Sequence, residues 1–319
     1  MKRASKIIQF AQRLCRFARL RSLLVAVTLT SACDQVADVT RTPDVGAEIV
    51  RSAESQRLQN YYAGIQNRLR AQGLLRTDGG GPDVPFDAAS LARDFERIAL
   101  YDEYTIRGGR FVAQQTPSHL RRWQRPIRIG IIFGPLVSAD QRAKDTVNVT
   151  NYARRLAGLT GLSIQVTNTN PNFHVLFVNR DAQKTIGSTL QGRIPDLSPI
   201  VINEIQNTPR NTFCVAYAFS DASDNNAYAA AIILIKAEHA DLMRLSCIHE
   251  EMAQALGLAN DSPEARPSIF NDDEEFALLT THDEMLLKML YDPRLQLGMT
   301  PESARPILPI VASDVVGGS

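Results

Sequence analysis

Between residues 47 and 75, Val50, Ala53, Leu58, Tyr61, Ile65, Leu69 and Leu74 recur every three to five positions among Arg, Gln and Glu. Such spacing gathers the apolar side chains on one stripe of a helix, so an amphipathic helix is expected there. The run TDGGGPD, Thr77 to Asp83, supplies its stop. Asp87 stands where it can cap a second helix over residues 88–100, with Leu91, Phe95 and Ile98 on the apolar face. Tyr104 to Gln114 alternates around Gly108-Gly109 and reads as a small hairpin. Residues 47–119 therefore form a small helical N-terminal region with a hairpin.

From residue 120 to 295 strands and helices alternate over the length of one compact domain. Apolar runs predict strands at 128–133, 162–167, 173–179, 214–219 and 228–236. Helices are predicted at 139–159, with Val147, Tyr152, Leu156 and Leu159 inward, and at 241–258 and 281–291. Thr280 and Asp283 make a capping box for the last of these. Residues 180–210 show no period and read as an excursion, and the Pro-rich tail over 296–319 is expected to be peripheral, with frayed VVGGS.

The start of the chain changes this picture. Lys2, Arg3, Lys6, Arg13, Arg16, Arg19 and Arg21 precede the apolar run Leu23 to Thr30, and no acidic residue interrupts them. About eight apolar residues fall far short of the roughly 20 that span a bilayer, so this is a signal peptide and not a membrane helix. Leu29 to Cys33 (LTSAC) resembles a lipobox, although Thr30 holds the usual leucine place and Leu29 lies one further back. That resemblance implies removal of residues 1–32, a lipid on Cys33, a flexible tether over 33–46 and a periplasmic, membrane-anchored protein. Asp34 resembles the signal for retention in the inner membrane. An ordinary secretory cleavage would instead leave Cys33 a free thiol.

Cleavage removes seven of the 35 lysines and arginines and none of the 34 acidic residues, leaving a net charge of −6. An acidic chain with no basic-aromatic cluster is repelled by polyanions, which excludes nucleic acid as a partner. Of the cysteines, Cys214 and Cys247 remain; a disulfide between them and a pair of buried thiols are both open.

His249-Glu250 begins an H-E-x-x-H frame, but Ala253 takes the second histidine's place. One residue on, Glu250-Glu251-x-x-Gln254-x-x-Gly257-x-x-Asn260 has the spacing of H-E-x-x-H-x-x-G-x-x-H. Around it lie Gln254 to Leu258 (QALGL), Pro267 to Phe270 (PSIF) and Leu278 to Tyr291 (LLTTHDEMLLKMLY). Together these segments resemble the matrixin-like metzincins over residues 120–292. The resemblance implies an α+β, zincin-like domain over 120–295: a mixed five-stranded sheet, a long helix, a motif helix and a C-terminal helix. It also implies that Glu250, Gln254 and Asn260 occupy the metal-ligand positions and Glu251 that of the general base. His249 to Leu295 further resembles the bacterial lipoprotein family known as domain of unknown function 2927, which implies a location and a fold rather than a reaction.

One carboxylate and two amides are hard, weak donors, better suited to calcium than to zinc and short of charge for either. Water without a Lewis-acidic ion keeps a pKa near 15.7 instead of about 7, so peptidase activity and a resident cofactor are not expected, with zinc or calcium the ions to test. The expected role is a pseudoenzyme: a binding module for a polypeptide or envelope component. The alternatives are a metal-dependent hydrolase with Glu251 as base, and a structural envelope lipoprotein. Elsewhere, His249 reads as a packing histidine and His282 as a first-turn residue beside its cap Asp283. Asn271 with Asp272 to Glu275 reads as a solvated loop or a calcium holder.

Overall fold

The computed structural model of the chain describes residues 7–11, 50–107, 110–194, 197–221 and 226–318. The expected leader over 1–32, the expected tether over 33–46 and Cys33 lie outside the described residues, apart from one strand, β1 (Ile7–Ala11). Helix α1 (Ala53–Ala71) is shorter than the 47–75 pattern. It starts behind Ser52, whose side chain accepts the Ser55 N–H, and ends before Gly73, at φ 77°. Leu75 and Arg76 then leave helical geometry to bond the carbonyls of Glu274 and Glu275 at 2.9 and 2.7 Å. Helix α2 (Ala88–Ala99) begins at the Asp87 capping box. Strands β2 (Tyr101–Arg107) and β3 (Arg110–Pro117) form an antiparallel hairpin longer than the alternation suggested.

A mixed α/β body follows this small helical region. Its strands are β4 (Arg122–Trp123), β5 (Ile127–Phe133), β6 (Ile164–Val166) and β7 (Phe173–Val178), with helix α3 (Ala139–Thr160) joining β5 to β6. Helices α4 (Arg180–Gln183), α5 (Gly187–Arg193) and α6 (Pro199–Asn207) lead to β8 (Cys214–Ser220) and β9 (Ala227–Lys236). The sheet order is β1-β8-β9-β7-β5-β6, with β4 also paired to β9. Strands β5, β6, β7 and β9 are parallel, β8 alone runs antiparallel to β9, and β1 lies parallel along the outer edge of β8. The sheet thus holds the five expected strands together with β1 and β4, which no pattern announced.

Both faces of the sheet are covered, which is why its strands read as continuous apolar runs. Phe173, Val175 and Phe177 point to the face covered by α3 and α7 (Asp241–Gln254), while Leu176 and Val178 point to the other. Residues 180–210 are no excursion: Leu190, Val201, Ile202 and Ile205 of α5 and α6 cover that second face. Val147, expected inward on α3, is 56% exposed, and Val149 takes the core position two residues on. Helix α8 (Thr281–Leu290) has the capping box of Thr280 and Asp283. The tail is not peripheral either: α9 (Pro301–Ala304) and α10 (Leu308–Gly317) bury Ala304, Leu308, Val311 and Ala312 in the main core. Among the described residues no helix is long and apolar enough to cross a membrane.

Candidate functional site

Every residue of α7 from Ser246 to Gln254 is buried. Such a helix is usually apolar all round. Here Glu250, Glu251 and Gln254 are among the enclosed side chains, exposed by only 2%, 0% and 0%. Enclosing ionised carboxylates is costly unless protons, cations or donors compensate them, so these positions call for a chemical explanation.

The turn after α7 is firmly held. The Leu256 and Gly257 N–H groups bond back to Ala253 and Gln254 at 3.1 and 2.9 Å. Trp123 Nε1 donates to the Ala255 carbonyl and Tyr291 Oη to that of Leu256, both at 2.9 Å. Gly257 has φ 131°, and a Cβ there would overlap the Arg121 carbonyl oxygen. The chain therefore reverses sharply and returns residues 260–261 to the end of the helix.

Gln254 Nε2 donates to Asp261 Oδ1 at 3.0 Å. Asn260 turns away: its side chain donates to the Arg97 carbonyl at 2.8 Å, and its backbone N–H to Ile98 at 3.0 Å. The reason is that the last carbonyls of α2 have no partner within their own helix, and an amide can donate to one of them. Of the three residues in ligand register, Glu250 and Gln254 thus share their surroundings with Asp261, and Asn260 serves α2.

The Asp261 carboxyl is held well above the usual carboxylate range, first by burial and then by Glu103, Glu250, Asp272 and Glu251. Glu103 comes from β2, as does Tyr104, whose phenol is pushed up by burial, by Glu103 and, more weakly, by Asp261 and Asp272. Strand β2 of the hairpin therefore borders a cluster of carboxylates floored by α7. Cys214 Sγ and carboxylate oxygens of Glu250 and Glu251 all lie within 4.8 Å of one another. Cys214 is bonded to Cys247, with Cα atoms 5.9 Å apart, which ties β8 to α7. Asp272 also lines a cavity of about 460 Å³ beside Ile65, Leu69, Leu74 and Phe213.

Zinc does not fit this donor set. A disulfide sulfur is no thiolate, and the other donors are oxygens. Among the described residues no histidine joins the cluster. His249 Nδ1 accepts the Leu279 N–H at 3.1 Å, its ring stacks on Tyr152 at 4.0 Å, and burial, then Arg155, pushes its pKa down to about 3. His282 Nε2 meets Asp94 Oδ2 at 3.1 Å. Asp283 caps α8 and also accepts from Ser268 Oγ at 2.5 Å and Ile269 N at 3.0 Å, fixing the Ser268–Phe270 turn. The acidic run is divided: Glu275 binds Arg76 and Arg266, whereas Asp272 acts on Asp261. Crowded carboxylates of this kind can share protons or hold a hard cation.

The motif spacing does not reach Glu103, Tyr104 or Asp261, whereas Asp272 belongs to the acidic run that reads as a solvated loop or a calcium holder. Asp261 is the next residue after the motif's Asn260, and it reaches Gln254 because Asn260 is drawn to α2. Glu103 and Tyr104 sit in a distant hairpin with no spacing relation to α7. No curated protein matches the chain, and no solved structure does. Residues 88–310, which include the hairpin, the sheet strands β4–β9, α7 and the carboxylate cluster, match the family described as protein of unknown function (DUF2927), and the chain belongs to that family.

Proposed function

We propose that this is an exported, lipid-anchored periplasmic protein whose zincin-like domain binds an extended polypeptide in the groove beside β8 without cleaving it. The observation that carries this reading is β1. Ile7 to Ala11 pair with Ala216 to Ser220 on the outer edge of β8, and β1 also approaches within 8 Å (Cα–Cα) of β2. An extended segment thus lies between the edge strand and the hairpin that supplies Glu103 and Tyr104. Residues 7–11 belong to the leader, so cleavage before Cys33 opens that edge, and an open edge recruits another strand through its unpaired N–H and C=O groups.

The zincin-like plan is supported by the order β6-β5-β7-β9-β8 with β8 alone antiparallel to its neighbour, by the glycine turn after α7, and by the Ser268–Phe270 turn ahead of α8. A disulfide suits an oxidising compartment, and Leu29 to Cys33 supplies the lipid signal. Binding without cleavage is supported by a donor set that does not suit the zinc on which zincin chemistry depends. The carboxylate floor favours a basic or neutral segment over an acidic one.

The test uses chain processed in cells and purified without chelator. Extended peptides are titrated by fluorescence anisotropy and recovered for mass spectrometry, alongside metal analysis. Binding with intact peptide supports the reading. A stoichiometric transition metal, with peptide turnover abolished by Glu251→Gln, would replace it by the hydrolase alternative.

A further inference from the structure

A second cavity, of about 300 Å³, shares no residue with the carboxylate cluster. Its walls include Glu54, Arg57 and Tyr61 of α1, Arg180 of α4, Arg210 ahead of β8, and Lys236. Lys236 is the last residue of β9 and Arg180 follows the end of β7, so the cavity lies at the carboxyl end of two adjacent parallel strands. Open sheets with parallel strands generally bind ligands in that place.

The charges are unbalanced. Glu54 is already taken by Arg180, Nε to Oε1 at 3.1 Å, and by Lys184, Nζ to Oε2 at 2.6 Å. Arg57 and Arg210 make no ion pair with a described residue. The Arg210 guanidinium lies 5.1 Å from the centroid of the Tyr61 ring. Lys236 is 3% exposed, and its Nζ donates to the carbonyls of Thr208 and Pro209. The Glu238 carboxylate, which favours the charged form of Lys236, is engaged by Ser55 Oγ at 2.8 Å and the Arg180 N–H at 2.6 Å. Burial pushes the Lys236 ammonium down to about 7.

A buried lysine in the wall of a cavity that three arginines also line is unfavourable for the empty protein and favourable once an anion enters. Three guanidinium forks around one ammonium point charge match the oxygens of a tetrahedral anion better than a flat carboxylate. The Tyr61 ring adds an apolar wall for an attached carbon chain. We infer that this cavity binds the phosphate group of a small organic phosphate, held by Arg57, Arg180 and Arg210 above Lys236. Such a phosphate comes either from a soluble phosphate ester or from a phospholipid headgroup at the membrane surface.

The full chain is titrated calorimetrically with inorganic phosphate and with glycerol 3-phosphate. Separately, it is sedimented with phosphatidylcholine vesicles with and without phosphatidylglycerol. The test variant is Arg57→Gln/Arg210→Gln, whose side chains are exposed and without ion pairs, so folding is retained; an unchanged melting temperature verifies this. Arg70→Gln/Arg93→Gln removes the same charge elsewhere on the exposed surface. Expected is one-site binding that weakens at least ~10-fold in the first variant and stays unchanged in the second. Binding of the soluble probes alone assigns a free phosphate ester, and preference for phosphatidylglycerol vesicles assigns a headgroup. Failure of every probe to bind overturns the inference, and so does equal weakening in both variants. The outcome does not depend on the peptide groove.

Discussion

His249 can accept the Leu279 N–H only while its Nδ1 is unprotonated, and its burial opposes the imidazolium as well. Its pKa falls from 6.5 to about 3, so between these values the unfolded chain binds a proton that the folded chain refuses. Stability therefore declines as pH drops through that window, by about 1.4 kcal/mol per pH unit from this group alone. His249→Asn, which keeps an acceptor near the Nδ1 position, is expected to show a shallower loss of stability from pH 6.5 to 4 in denaturant melts. Parallel curves for the two proteins would reject this account. Gly257 is a second residue-scale test, because φ 131° and the Arg121 carbonyl both exclude a side chain. Gly257→Ala should cost about 3 kcal/mol or more, and a near-normal urea midpoint would contradict the geometry. Both residues were legible in the sequence, the glycine by its place in the motif spacing and the histidine by failing that spacing. The choice between Asn260 and Asp261 was not, because it is made by carbonyls at the end of α2, far away in the chain.

At the scale of elements, α7 is anchored to α3 through Arg244 and Asp145, both buried, with Nε to the two carboxylate oxygens at 3.0 and 2.9 Å. Burial holds the Asp145 carboxyl above its usual range despite Arg244. Removing only the cation strands a carboxylate in the core. Arg244→Met is accordingly expected to lose about 3–5 kcal/mol, and Asp145→Asn/Arg244→Met to recover part of it. A double variant as unstable as the single one would show that the arginine acts by packing instead. Helix α3 was visible because its period runs through 22 residues, and β7 and β9 because they are apolar runs buried on both faces. Helices α4, α5, α6 and α9 span only 4, 7, 9 and 4 residues, too short to establish a period, and α10 follows a proline-bearing stretch. Their burial comes from the sheet face and the core they cover, which local sequence does not encode.

For the whole molecule, strand order decides what sequence could not. The leader reads as a leader from its charges and short apolar run, and the motif helix reads as a degenerate metal site. Neither reveals that β8 ends the sheet and needs a neighbour, since an edge exists only once all strands are assembled. β1 supplies that neighbour from residues 7–11, directly beside the proposed polypeptide groove. If the same backbone edge serves both, leader and ligand compete. A Cys33→Ala chain that retains its leader should bind extended peptides at least ~10-fold more weakly than processed chain, the loss of a few strand hydrogen bonds being enough. A synthetic peptide of the sequence Ile7 to Ala11 should in turn displace bound peptide from the processed protein. Measured by fluorescence anisotropy, equal affinities for leader-bearing and processed chain, with no displacement by the pentapeptide, would move the ligand away from β8 and leave the groove assignment without its basis.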